Sequence, residues 1–276
     1  MTDPYRVTIP SYQRPERLRA QTLRTLTGKC VPMELVDVYV HDNDPHLGSY
    51  RDLAAEQGFT LHVTPARGIN EQRAYIVDSY PEGARLVGMD DDIEEVIATT
   101  GPRWANVFPV EDLHTRFENM FDLCELEGLY VWGTAPVNNP FFMKPWGTPP
   151  SQGLKLAMFT LFGWVNRPGH PVHIQTVQYK DEQEFSLRAW WYDGAILRAD
   201  DMAVKTVFYA DGGCTAAGRT HRQVEDSVVS LMQQWPGLVS RNTKKGSEWP
   251  EVKLARRKRT DGNPVHALPP GGAPLI

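Results

Sequence analysis

The chain has 276 residues, 41% of them hydrophobic and 23% charged, with a net charge of −5. That length and balance describe a globular chain of one large domain or two small ones, and an acidic total argues against nucleic-acid binding through global charge. No apolar run reaches the roughly 18 residues of a bilayer span, and three scattered cysteines exclude a disulfide framework and a cysteine zinc site, fitting a reducing cytoplasm.

The opening "MTDPYRVTIP" leads directly into a strand over 5–10, with no sign of a secretory leader. "RPERLRAQTLRTL" follows as a helix with Pro15 near its first turn. "LVDVYVH" (35–41) alternates Val36, Val38 and Val40 with strand period. "SYRDLAAEQG" is a helix closed by Gly58, "TLHVT" a third strand, and "INEQRAYIVDSY" a helix with Asn70 as a possible cap. "RLVGM" is a fourth strand. Four strands spaced by short helices predict a parallel α/β sheet, whose ligands bind at the carboxyl ends of the strands. The candidate residues are those that follow the strands: residues 10–14, 42–44, 67–68 and 90–92.

The second half is less regular. "VEDLHTRFENMFDLCELEG" (110–128) is an amphipathic helix, and "LYVWGTAPVNNPFFM" a strand running into a turn. "KDEQEFSLRAWWYDG" begins acidic and becomes helical, "MAVKTVFYA" is a strand, and "RQVEDSVVSLMQQWPG" is a helix stopped by Pro236 and Gly237. This half extends the first sheet without an independent core. "KLARRKR" (253–259) gathers five cations in seven residues, with Lys244 and Lys245 upstream, and is either a phosphate contact or a solvated tail. The last stretch, 261–276, is rich in Pro and Gly and is expected to be disordered.

The stretch "RLVGMDDDIEEV" poses a physical problem, because three consecutive carboxylates end a strand that reads as buried. Like charges repel and lose hydration there, so either water or a positive group sits among them. Asp90 and Asp92, two apart on extended chain, point to one side and suit a hard divalent cation, Mn²⁺ or Mg²⁺. Asp91 then turns to a ribose hydroxyl or a backbone amide. The bland alternative makes Asp92 the cap of a helix beginning "IEEV". In "TIPSYQRPERL", Pro10, Ser11, Tyr12 and Arg14 place amides and a guanidinium where a nucleotide could lie, or they form a plain turn. Asp42 is a hydrogen-bond acceptor for a base or ribose, or a turn former. Arg67, Gly68 and Arg73 in "ARGINEQR" could meet a pyrophosphate.

Together these motifs resemble a GT-A glycosyltransferase: α/β, Rossmann-like, with a mostly parallel central sheet flanked by helices in a single domain. "VTIPSYQRPERL" resembles the first nucleotide-binding strand and loop, "MDDDI" the Asp-x-Asp metal motif on Asp90 and Asp92, and "DEQEFSLRA" the Glu-Asp-x-x-Leu-x-x-Arg start of the acceptor helix. The acidic order is reversed here, so the base position falls on Glu182 with Asp181 as rival. More narrowly, the chain is similar to phage-encoded TET-associated glycosyltransferases, which modify 5-hydroxymethyl pyrimidines in DNA. The residues that carry this are the same motifs with "GTAPVNNPFFM", "YADGGC", "GRTH" and "WPGLVS".

The resemblance implies one domain over 1–260, with a nucleotide-sugar half (1–100), an acceptor half (101–240) and a basic segment (241–260). It implies a UDP-sugar donor such as UDP-glucose, a metal on Asp90 and Asp92 with His221 as a third ligand, and a DNA acceptor carrying a hydroxymethylated pyrimidine. Asn138, Trp190 and Trp191 would face that acceptor, although an Asn turn and an aromatic core are the plainer readings. Lys253, Arg256, Arg257 and Arg259 would hold its phosphates. No membrane or obligate protein partner is expected, and a phage enzyme would work in the host cytoplasm. The rival readings are a GT-A enzyme with a glycan, protein or small-molecule acceptor, a nucleotidyltransferase, and a non-catalytic nucleotide-binding protein. The nucleotidyltransferase is disfavoured because no Gly-rich phosphate loop follows the first strand.

Overall fold

A computed structural model describes residues 4–206, 220–243 and 249–271. Strand β1 (Arg6–Ser11) is followed by helix α1 (Pro15–Leu18), which runs through a π-helical turn at Arg19–Leu23 into α2 (Arg24–Gly28). Pro15 fits the first turn because its missing N–H has no intrahelical partner there. Next come β2 (Val36–His41), α3 (Leu47–Gln57), β3 (Thr60–Thr64), α4 (Gly68–Ser79) and β4 (Arg85–Met89). β1 pairs in parallel with β2 and β4, and β2 in parallel with β3. The strand–helix alternation read from the sequence is therefore a four-stranded parallel unit, ordered β3-β2-β1-β4.

The rest of the chain supplies β5 (Ile93–Thr99), β6 (Val107–Pro109), α5 (Leu113–Glu127), β7 (Val131–Ala135), β8 (Ser151–Gly153), β9 (Leu161–Val165), α6 (Asp181–Asp193), β10 (Ile196–Thr206), α7 (His221–Gln234), β11 (Val239–Arg241) and β12 (Val252–Leu254). The sheet continues β4-β9-β7-β10-β5-β6, with β8 on β10 and a separate β11–β12 pair. β9 is antiparallel to both β4 and β7. β7 therefore runs parallel to β4, and its carboxyl end shares the edge at which β1 and β4 end. β10 runs parallel to β7, which brings Thr206 to that same edge.

Residues 93–99 are a strand, not the helix that Asp92 might have capped, because Ile93, Val96 and Ile97 find antiparallel partners along β10. β9 was not foreseen. It fits because Gly88 of β4 leaves space for the Phe162 ring: a Cβ there would lie 2.4 Å from it.

One core layer joins Val7, Ile9, Leu18, Leu23, Phe117 and Trp132, and another on Leu86, Phe162, Trp164 and Phe185 lies beneath α4 and α6. Each such side chain taken from water contributes about 1.5–3 kcal/mol. A smaller cluster of Leu187, Trp190, Leu231 and Trp235 joins α6 to α7. Residues 261–271, expected to be disordered, lie instead along α6: Asn263 donates to the Trp191 carbonyl at 2.9 Å, and Tyr192 Oη to the Ala267 carbonyl at 3.3 Å. Lys244 and Lys245, most of "YADGGC…GRTH" and residues 272–276 lie outside the described residues.

Candidate active site

The positive group among the aspartates is Arg14. Its guanidinium is 2.5 Å from Asp91 and 3.4 Å from Asp92. Asp91 also accepts from Ser11 Oγ at 2.6 Å. Because the Ser11 proton is used there, Tyr50 Oη donates to Ser11 Oγ at 2.7 Å, while accepting from the Arg14 N–H at 3.0 Å. Burial pushes the Asp91 carboxyl up to about 6, with the Arg14 charge and the Ser11 hydrogen bond opposing. Ser11 and Asp91 were expected to meet the nucleotide. They are instead buried and bonded to each other, and they fix the strand end.

That leaves Asp90 and Asp92, both half-buried. Asp92 Oδ1 accepts from Thr206 Oγ1 at 3.0 Å, and Thr22 Oγ1 donates to the Asp90 carbonyl at 2.8 Å. The Asp90 side chain is pushed up to about 7, first by burial, with Arg73 opposing and Asp92, Asp91 and Glu182 adding. Asp90 thus feels charges from both halves of the sheet.

Those charges meet at the start of α6. Arg73 of α4 is bonded to Asp181 and lies over the Phe159 ring, 4.3 Å from its centroid. Glu182 accepts from the Phe159 N–H at 3.3 Å and is pushed up to about 7 by burial and by Asp181, with the Phe159 hydrogen bond and Arg73 opposing. Pro10, Arg73, Asp90, Phe159, Phe162 and Phe185 line a cavity of about 60 Å³ beside these groups. Asp90 and Asp92 follow the end of β4 and Asp181 and Glu182 open α6, while Arg73 reaches in from the middle of α4.

The other expected residues divide. Tyr12 is 39% exposed after β1, and Asp42 and Arg67 are exposed in the segments that follow β2 and β3. Gly68 opens α4 at φ +73, which favours glycine. Asn138 is half-buried in the turn after β7. Trp190 and Trp191 do not face an acceptor: Trp190 is buried with Nε1 on the Lys258 carbonyl at 2.9 Å, and Trp191 packs against Trp235. The ring-lined wall is made by Phe159, Phe162 and Phe185 instead. His221 is the exposed first residue of α7, stacked on Trp249. Among the described residues no group of three or more His, Cys, Asp or Glu side chains is placed to hold a metal, so His221 does not complete one with Asp90 and Asp92. Arg259 is bonded to Glu127 and Gln152, whereas Lys253, Arg256 and Arg257 are exposed.

Three further features were not read from the sequence, although Asp44 and Gln13 lie in the segments singled out there. Buried Asp44 accepts from the Gln13 N–H at 2.7 Å and the His46 N–H at 2.8 Å, pinning the loop after β1. Gln13 and Lys180, which flank the two sides of the site, hold positive φ without being glycine, a strain that clusters at working sites. Inside α6, Glu184 is fully buried and bonded to Arg188 at 2.8 Å and to Thr176, four and eight residues away. The i,i+4 spacing of Glu184 and Arg188 was the available signal.

Neither a scan against protein-family models nor a search of curated proteins gives a match. Solved structures do. Residues 1–349 of TarS from S. aureus, in complex with UDP-GlcNAc, match with a TM-score of 0.54 at 12% identity, covering 83% of this chain and 67% of that one. The mannosyltransferase PcManGT from Pyrobaculum calidifontis, in complex with GDP-Man and Mn²⁺, matches with a TM-score of 0.50 at 12% identity over 84% of this chain and 65% of that one. This chain has the GT-A fold. It spans about two thirds of the length of those two chains, and the likeness is one of fold. Within a GT-A fold, the edge where β1, β4, β7 and β10 end is the ligand edge, and Asp90, Asp92, Arg73 and Glu182 all lie there.

No helix among the described residues is long and apolar enough to cross a membrane.

Proposed function

We propose that this chain is a glycosyltransferase that moves a sugar from a nucleotide sugar to the hydroxyl of a 5-hydroxymethyl pyrimidine in DNA. The observation that supports the sugar chemistry is that Asp90 and Arg73 line one cavity, with Asp92 close to Asp90 in sequence and Glu182 bonded to the Phe159 N–H of the cavity wall. The DNA acceptor is supported by the motif resemblance and by the basic segment.

The GT-A fold implies a divalent cation, and the residues fit one. Asp90 and Asp92 offer hard oxygen donors; Asp90 is raised first by burial and then by its carboxylate neighbours, and a dication would offset both. When bound, such an ion would neutralise charge developing on the departing diphosphate. Arg73 stands beside Asp90 for the same purpose. Glu182, raised to about 7, is matched to taking a proton from a hydroxyl near neutral pH. Asp181 is already bonded to Arg73, which favours Glu182 as the base of an inverting transfer. Arg67, Gly68, Tyr12 and Asp42, which follow the strands of the parallel unit, would meet the nucleotide.

The test is a transfer assay with Mn²⁺ and a panel of nucleotide sugars. The DNA substrates carry cytosine, 5-hydroxymethylcytosine or 5-hydroxymethyluracil, and digested nucleosides are weighed by mass spectrometry. The expected result is a hexose-sized gain on a hydroxymethylated base, lost in Asp92→Ala. Metal-dependent cleavage of one nucleotide sugar with no gain on any DNA would keep the sugar chemistry and move the acceptor to another class. Release of pyrophosphate from a nucleoside triphosphate and a sugar phosphate would replace the reading with a nucleotidyltransferase.

A further inference from the structure

The basic segment is tied to the body of the protein. The Leu154 N–H donates to the Arg257 carbonyl at 3.0 Å, and the Thr260 N–H to the Gly194 carbonyl at 3.0 Å. Gly153, at φ +130, makes the first contact possible: a Cβ there would lie 2.3 Å from the Arg257 oxygen. With the Lys258 carbonyl held by Trp190, residues 256–260 run alongside β8 and the end of α6.

This docking gathers cations from three parts of the sequence. Arg198 stands opposite Ser151 in the β8–β10 ladder. Lys155 follows β8 by two residues, and Arg256 adjoins the residue whose carbonyl holds Leu154. The Lys155 ammonium is half-buried and held below its usual range by burial, then by Arg198 and Arg256, with Asp200 opposing. Asp200 is already bonded to Arg198 at 2.7 Å and to Ser151 at 2.5 Å. Lys155 thus feels two other cations while the carboxylate nearby, Asp200, is already bonded to Arg198 and Ser151, and a further anion would relieve them.

The position excludes the donor diphosphate. Arg198 is near the start of β10, whereas the strand's last residue, Thr206, bonds Asp92. At about 3.3 Å per residue, with a bulge between, the separation is on the order of 20 Å. The acceptor side is nearer. Lys155 precedes Phe159, the partner of Glu182, by four residues, at most about 14 Å of chain. Successive phosphates on one DNA strand rise about 3.4 Å, so this is a reach of roughly four nucleotides.

We infer that Lys155, Arg198 and Arg256 form a seat for backbone phosphate of a nucleic-acid acceptor, an assignment that rests on the DNA reading above. The contact is to phosphate and carries no sequence preference.

The experiment is fluorescence anisotropy of the full chain with a labelled duplex containing 5-hydroxymethylcytosine, repeated across a salt series. The variants are the triple Lys155→Gln, Arg198→Gln, Arg256→Gln, and the single exposed Arg256→Glu, which keeps the Arg198–Asp200 bond. The triple variant is expected to flatten the log–log salt slope by about two to three, since each phosphate contact contributes roughly one. Arg256→Glu should weaken binding at low salt with an unchanged melting temperature, and Arg256→Lys should restore it. If wild type binds the duplex and both variants bind it with an unchanged slope, the seat is overturned and the DNA acceptor stands. If wild type binds no duplex yet transfers sugar elsewhere, the DNA reading falls and the seat with it.

Discussion

On the donor side of the ligand edge, polar groups are locked together. Asp91, Ser11, Tyr50 and Arg14 form a closed chain of hydrogen bonds beneath Asp90 and Asp92. At the start of α6, Asp181 is held by one guanidinium reaching across from α4 and Glu184 by Thr176 and Arg188, while Glu182 keeps a weak backbone contact at 3.3 Å. On the proposed function, the first side would be a rigid platform for charge and the second a place where a proton changes hands. Asp91 is buried and paired with Arg14 and Ser11, whereas Glu182 is held near 7 by burial and by Asp181.

The comparison can be broken from either side. Glu182→Gln should have the largest effect, cutting transfer roughly 10²–10⁴-fold, the range of lost general-base catalysis. In the wild-type enzyme the rate should fall as pH drops through about 7, because the base must be ionised. The same change should raise the melting temperature at pH 8. A carboxyl whose folded pKa is raised favours folding below its unfolded value, near 4.5, and that contribution is lost as pH rises through about 7. The gain should therefore vanish near pH 4.5. A lower melting temperature at pH 8 would show that Glu182 is structural.

Arg14→Ala comes next. It leaves Asp91 buried without its cation and should cost about 3–5 kcal/mol in denaturant unfolding. Adding Asp91→Asn should recover part of that, and no recovery would refute the lock. Gly194→Ala should cost about 1–3 kcal/mol for its left-handed conformation. Its new Cβ would lie 2.1 Å from the Thr260 oxygen, so trypsin should cut at the loosened basic segment faster than in wild type. Asp42→Ala is the smallest: stability should stay within about 0.5 kcal/mol, so any rise in donor KM reports nucleotide contact directly.

The same contrast explains what the sequence made legible. β1 to β4 pair through short local crossovers, so strand period and helix caps were enough to read a parallel unit and to put Asp90 and Asp92 at a strand end, though not to order the strands. The acceptor side depends on partners far apart in sequence. β9 slots between β4 and β7, and its "TLFGW" carries no alternation because both faces are buried. For Trp190 and Trp191 the sequence left a stacking surface beside the plainer reading of aromatic core; the contacts of Trp190 with Lys258 and of Trp191 with Trp235 agree with the plainer one. The charge on Arg14 was visible, but that it would take Asp91 out of the nucleotide's reach needed the fold.

Arg73 has a consequence beyond its place in the cavity. One guanidinium serves Asp181 and also influences Asp90 and Glu182. An anion that draws it toward the strand ends loosens its grip on Asp181 and raises the proton affinity of Glu182's neighbourhood. Coupling of this kind is reciprocal: whatever factor occupancy at the strand ends imposes on the helix start, occupancy at the helix start imposes in return. The two substrates would then sense each other without touching, through a single side chain that neither owns.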